Sequence, residues 1–351
     1  MGVSDGRTIL TRLVRLGAGC VILLLLLPGC GLLIDAVERV IPIGADEVET
    51  ICSRGRVQVG LAAEPFRPFV FPAIWTDEGA RVTGLDVELV RAISEGLARR
   101  CGHPVTPVLH LVRFRDLFRL LNESHLDLFV SAVAANIPAP SRAGVAYSIP
   151  YFYDGGIGGI TKRPDVLEKV RRVLRDEFSP GQSEGPTTAD PLRDLTIAVQ
   201  NDTAAHHYAA ANLSGSRLIV CDSLPAAFEY ADSSVEPGVD VILGAQPVLT
   251  YMVSKVRKDW ASLARQDGRP VRFTKAQYAV VMAEESYRLR WLVNDVLFRL
   301  EEAGRLQDMR KRWLEDDYAY PRRASMEGLA FDAEKMVTHY MQGTCRVESR
   351  D

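Results

Sequence analysis

Apolar and polar positions along this chain change period repeatedly, and each change marks a predicted element. Residues 57–61 form a short run of strand character, whereas residues 86–97 place Leu89, Val90, Ile93 and Leu97 at helical spacing. A strand over 105–112, a short helix over 114–121 and a strand over 126–130 follow. Alternation of this kind predicts a parallel sheet covered by helices. A similar cycle then begins again. Strands at 195–199, 218–221 and 239–243 alternate with helices at 203–213, 225–230 and 247–256. A last strand over 278–282 precedes a long helix over 286–303, with Leu289, Leu292, Val293, Val296 and Leu300 on one face and Gly304 closing it. One more helix is expected over 305–314.

Between the two cycles the pattern breaks. Residues 166–174 read as a strongly charged helix, and the Pro/Gly/Ser/Thr-rich run 179–191 reads as a mobile loop. Beyond residue 316 periodicity is weak, with one short helix expected around 333–340. The start of the chain is of another kind. Arg7, Arg12 and Arg15 precede an apolar run that ends in Leu27-Pro28-Gly29-Cys30, the layout of a secretory signal. It resembles a bacterial lipoprotein box, in which Cys30 becomes the lipidated N-terminus. The alternative is an uncleaved anchor, since 16–34 carries no charge and has about the length that spans a bilayer. The basic residues before the run place the remainder outside the membrane under either reading.

A chain of 351 residues holds one large or two medium domains, and a net charge of −3 speaks against a nucleic-acid surface. With Cys30 lipidated, Cys52, Cys101, Cys221 and Cys345 remain in an oxidising compartment, where three full pairings are open. A staple between Cys52 and Cys345 would join the two ends, and Cys221, closing an apolar strand, reads as a buried free thiol. No Cys-x-x-Cys or His-x-x-x-His spacing points to a metal, and no cofactor is implied. His206 and His207, adjacent on a helix, are expected to point apart.

One segment carries candidate chemistry. Residues 127–151 (DLFVSAVAANIPAPSRAGVAYSIPY) run from a strand into a Pro-broken loop with a lone arginine, Arg142. A guanidinium offers a rigid fork of donors that matches both oxygens of a carboxylate.

Four segments, in order, resemble the family-3 extracellular solute-binding proteins, the periplasmic partners of polar amino-acid ABC importers. They are 60–69 (GLAAEPFRPF) with 84–89 (GLDVEL); 126–151, with its Arg followed by Ser-Ile-Pro-Tyr; 197–203 (IAVQNDT); and 278–282 with 292–294 and 304–313. The resemblance covers about 55–314 and implies a type II clamshell: two α/β lobes, each a helix-flanked sheet, joined by two crossover strands with the ligand between them. The implied plan is a signal peptide at 1–29, a tether at 30–55, the first lobe at 56–157, the second at 158–280 with an insert at 163–191, a return to the first lobe at 281–316, and an extension at 317–351. The crossovers fall near 155–162 and 280–283, so the Gly155–Gly159 run reads as crossover flexibility rather than a phosphate cradle.

By the same resemblance Arg142 forks the ligand's carboxylate, and Thr203 offers its hydroxyl and the free N–H groups of a helix start, where it also serves as a cap. Phe66 either covers the ligand or packs in the core. Ser131 lies where the family presents small hydroxylic residues, with backbone groups contributing more than the hydroxyl. Departures are visible. The loop before Arg142 is longer than usual, Ala139 replaces a Thr, and Asp202 replaces a Gly. Ala245 stands where the family places the Asp that pairs an α-ammonium, so Asp202, Gln246 or Glu64 must replace it, or the ligand carries no ammonium. The expected function is capture of a small carboxylated solute by a monomer that presents it to ABC permease subunits, tethered to the membrane at its N-terminus. The rivals are a sensory or accessory binding role and a dehydratase-like enzyme using Glu64 or Asp202 as its acid.

Overall fold

The computed structural model describes residues 46–64, 66–137, 142–175, 190–336 and 343–348. The export segment, Cys30 and most of the run 179–191 lie outside the described residues. In chain order the elements begin with α1 (Glu47–Arg54), β1 (Arg56–Ala62), β2 (Ile74–Thr76), β3 (Gly79–Val82), α2 (Leu85–Cys101), β4 (Thr106–Val112), α3 (Phe114–Asn122), β5 (Leu128–Ala134), β6 (Val145–Tyr147) and β7 (Phe152–Thr161). They continue with α4 (Pro164–Arg175), β8 (Thr196–Gln200), α5 (Ala204–Asn212), β9 (Arg217–Cys221), α6 (Leu224–Asp232), β10 (Val241–Ala245) and α7 (Gln246–Tyr251). The last are β11 (Ala261–Ser262), β12 (Thr274–Ala283), α8 (Tyr287–Glu302), α9 (Arg305–Arg310), α10 (Arg322–Glu327), β13 (Leu329–Phe331) and β14 (Cys345–Val347). A π-helical turn follows each of α7 and α9.

Two parallel strand triplets build the two lobes. In the first, β1 lies between β4 and β5; in the second, β8 lies between β10 and β9. The ten-residue strands β7 and β12 pair antiparallel and join them, β12 to β5 and β7 to β10. The lobe boundaries expected at 157/158 and 280/281 thus fall inside these two long strands. In β7, glycine is required by close approach: a β-carbon on Gly155 would stand 2.6 Å from the Ala276 carbonyl and 2.8 Å from the Tyr278 ring.

The second-lobe sheet buries both faces, and the strand period of two sorts its side chains. Ile197, Val199, Leu218, Val220, Val241 and Leu243 face one core with Val166 and Val170 of α4, while Ala198, Ile219 and Ile242 join the other core, shared with the first lobe. In the first lobe α2 packs Leu89, Val90, Ile93 and Leu97 inward and ends on Gly102 in the left-handed region. Its Gly96 admits Val296 of α8, which any side chain there would displace.

The disulfides differ from the sequence expectation. Cys52 bonds Cys101, joining α1 to the end of α2, and Cys221 bonds Cys345, joining β9 to β14. A Cys52–Cys345 bridge is ruled out by topology, because α1 packs against α2 and β1 whereas β14 is the opposite edge of the sheet. Cys221 is fully buried, as anticipated, but oxidised rather than free. Residues 47–54, expected at the end of a tether, are a packed helix with Val48 and Ile51 buried. The C-terminal extension also has structure: β13 pairs with β3 and β14 with β9. In place of the helix expected over 333–340, a single 3-10 turn covers Ala333–Lys335, and 337–342 lie outside the described residues.

Candidate functional site

Parallel strands end at a common place, and backbone groups and helix starts collect there. In this fold β5, β8 and β10 end around a cleft of about 590 Å³, open solvent at its mouth included. The first lobe contributes Phe66, Phe114, Ser131, Ala132, Ala134 and Arg142; the second contributes Gln200, Thr203, Ala204, Ala205, Leu224 and the turn Leu243–Ala245 with Val248. Gly156, Ile157, Ala276 and Tyr278 of the crossovers close the floor.

Arg142 stands at the start of the segment that returns to β6, which is hydrogen-bonded to β12. Its Nη1 donates to the carbonyl of Ala134, at the end of β5, and to that of Ile137 at 2.5 Å. The guanidinium lies 5.8 Å from the centre of the Phe118 ring. Its Nε is buried without a hydrogen-bond partner among the described residues. Burial pulls the guanidinium below the usual arginine range, while Tyr147 and Asp202 push the other way. Arg142 thus lies on the cleft wall, but part of its donor fork is already held by the chain.

The remaining first-lobe groups are largely engaged. Phe66 is 7% exposed and meets Phe114 at 5.9 Å, so it belongs to both core and cleft. The Ser131 hydroxyl donates to the Val130 carbonyl at 2.6 Å and accepts from Ala62 N–H at 2.8 Å. Ala132, at φ 47°, donates its N–H to Asp86, so backbone donors at this strand end are not all open to a ligand. Asp86 also accepts from the Tyr151 hydroxyl at 2.8 Å, and burial pushes its carboxyl up to about 7. Glu64 does not line the cleft. It accepts from Phe114 N–H at 3.1 Å, capping α3, and burial pushes it up to about 7.

On the second lobe Thr203 caps α5. Its hydroxyl donates to the Gln200 carbonyl at 2.7 Å and accepts from His206 N–H at 3.3 Å. Asp202, at φ 59°, takes the left-handed conformation that the glycine it replaces adopts freely. Its carboxylate meets His207 Nε2 at 2.9 Å, and its N–H donates to His206 Nδ1. The two histidines do not point apart: their rings stack 5.4 Å from centre to centre, and His206 also meets Glu348 at 3.5 Å. Burial lowers His206 below the usual histidine range. Among the described residues no cluster of three His, Cys, Asp or Glu side chains is disposed to hold a metal. Neither Asp202 nor Gln246 lines the cleft. Gln246 is occupied by Arg272, at 3.2 Å, and by Thr250.

Two polar lining residues were missed from sequence. Gln200 is 4% exposed, and its side-chain Oε1 is buried without a partner among the described residues. Its signal was a polar residue at the C-terminal end of an apolar strand, just before a capped helix. Tyr278 is packed on Phe152 at 5.4 Å, with its hydroxyl buried beside the Gly156 backbone. The cleft thus presents one cation, apolar walls and neutral polar groups, and no carboxylate lines it among the described residues.

Solved structures share this architecture. A mutant of ArgBP from T. maritima superposes with a TM-score of 0.57 at 22% identity, covering 77% of this chain and 99% of its own. The amino acid ABC transporter substrate-binding protein AbpA from Streptococcus pneumoniae, bound to L-arginine, gives 0.59 at 22% identity, covering 76% and 100%. The ancestral amino acid-binding protein AncCDT-1, a precursor of cyclohexadienyl dehydratase, gives 0.58 at 20% identity, covering 76% and 99%. These likenesses establish the type II binding-protein fold. No curated protein matches the chain. The model of the bacterial extracellular solute-binding proteins, family 3, matches residues 59–316, and the chain belongs to that family.

Proposed function

We propose that this protein captures a small carboxylated solute, an amino acid or a related acid, between lobes 56–157/281–316 and 158–280, and presents it to an ABC permease. Arg142 carries the reading: a half-buried guanidinium on the wall of an otherwise apolar cleft, with its Nε unpartnered. A carboxylate supplies the missing acceptor and the compensating charge at once. Phe66 covers the solute, and Thr203 with the first N–H groups of α5 adds a second-lobe contact, so the solute bridges the lobes and favours the closed form. The extracellular family supports an exported protein, and lipidation at Cys30 would hold it at the membrane. Calorimetric titration with a panel of carboxylic and amino acids tests the reading. Micromolar binding that Arg142→Ala abolishes supports it, and binding unchanged in that variant removes Arg142 from the site.

A second reading, a dehydratase-like enzyme, rests on the likeness to AncCDT-1, a precursor of cyclohexadienyl dehydratase, with Glu64, bonded behind the cleft-lining Phe114, as its acid. Turnover of a cyclic carboxylic acid that Glu64→Gln abolishes would establish it, and absence of turnover across the panel would remove it.

A further inference from the structure

Three carboxylates approach the cleft walls, and each is turned to other work. Asp86 holds Tyr151 and Ala132, Glu64 caps α3, and Asp202 is paired with His207. None of them lines the cleft, and Ala245 brings only a methyl group to it. A buried ammonium on the solute would find a cation, Arg142, in the same cleft, while Asp202, the acid whose charge reaches Arg142, is outside the lining and already paired with His207. What the cleft does hold is the Gln200 Oε1, 96% of whose residue surface is buried and which has no partner among the described residues. A buried acceptor left unmade is costly, so its ligand must bring a donor, and beside Arg142 a neutral donor is the less costly one.

We infer that the solute is a small monocarboxylic acid with an apolar body and a hydroxyl in place of the α-ammonium, its hydroxyl donating to Gln200 Oε1. This rests on the carboxylate reading of Arg142 and narrows it. The apolar body lies along Ile157, Leu224, Leu243 and Val248.

The test compares acids that share one skeleton and differ only at the α-carbon, titrated into the full chain. L-leucine, α-hydroxyisocaproate and isocaproate form one series; L-phenylalanine, phenyllactate and hydrocinnamate form the other. The hydroxy acid of a series is expected to bind at least about tenfold tighter than the amino acid, and roughly tenfold tighter than the unsubstituted acid. Gln200→Leu should erase the advantage over the unsubstituted acid while leaving that acid's affinity within about threefold. Ala245→Asp should reverse the order of hydroxy and amino acid. An amino acid that binds the parent protein as tightly as its hydroxy analogue overturns the inference and leaves the carboxylate reading standing. So does a Gln200→Leu protein that keeps its hydroxyl preference. No binding by any acid of either series overturns both.

Discussion

At and behind the first-lobe wall of the cleft Ser131, Glu64 and Asp86 all have protein partners, whereas on the second-lobe wall Gln200 keeps an acceptor with none among the described residues. The first lobe spends its buried carboxylates on its own frame: one caps α3, the other locks Tyr151 and the strained Ala132. The second lobe buries neutral groups beside the cleft and pairs its one nearby carboxylate, Asp202, with a histidine. Each lobe carries one disulfide, but that of the second closes the longer stretch, 124 residues against 49. The lesson is that two lobes of one architecture can divide their tasks. On the proposed function, one supplies the charge that attracts an acid, the other the neutral contacts that select among acids.

The largest expected effect comes from the staples. Replacing Cys221 and Cys345 by Ser should cost about 3–5 kcal/mol, and replacing Cys52 and Cys101 slightly less, because loop entropy grows with length. Urea unfolding of the two variants measures both, and equal midpoints for variants and parent would refute it. The charge on the first-lobe wall comes next. Arg142→Ala should weaken binding of a carboxylate such as α-hydroxyisocaproate about 100-fold, the value of a charge-assisted pair in a desolvated site.

A third difference shows in pH. Glu64 and Asp86 have folded-state values raised from 4.5 and 3.8 to about 7, so between about pH 4 and 7 the folded protein binds more protons than the unfolded chain. The stability they contribute is full at the acid end and is lost as pH rises through about 7. The parent should lose on the order of 5 kcal/mol of stability from this source between pH 5 and 8, read from thermal melts across that range. Glu64→Gln with Asp86→Asn should flatten the profile, and an unchanged slope would show that these first-lobe groups do not titrate as described. The smallest effect lies across the cleft. Thr203→Ala removes the α5 cap and should cost about 1 kcal/mol in urea unfolding, with no cost if the cap is supplied otherwise.

Much of this division was legible in the chain and some was not. Helix α2 was foreseen because Leu89, Val90, Ile93 and Leu97 repeat at helical spacing, and the parallel triplets because apolar runs alternate with such helices. Arg142 stood out as a lone charge after a strand, and Ala245 as a methyl group where an acid was expected. Gln246 looked equally eligible, yet Arg272 of a distant strand approach occupies its amide. Asp202 was eligible too, but its left-handed backbone and its pairing with His207 turn it to the frame. The disulfide partners were invisible for the same reason: Cys345 meets Cys221 only because β14 adds to the edge of β9.

The sequence by itself determined the alternation of strand and helix and the presence of a lone arginine after an apolar strand. Those follow from local periodicity and from residue types at strand ends. Only the tertiary structure decided which polar groups are already satisfied. A hydrogen-bond partner is a property of two segments brought together: Asp86 and Ala132 are 46 residues apart, Arg272 and Gln246 are 26 apart, and the Gln200 Oε1 finds no partner among the described residues. What the cleft asks of a ligand is the remainder left when those long-range pairings are complete.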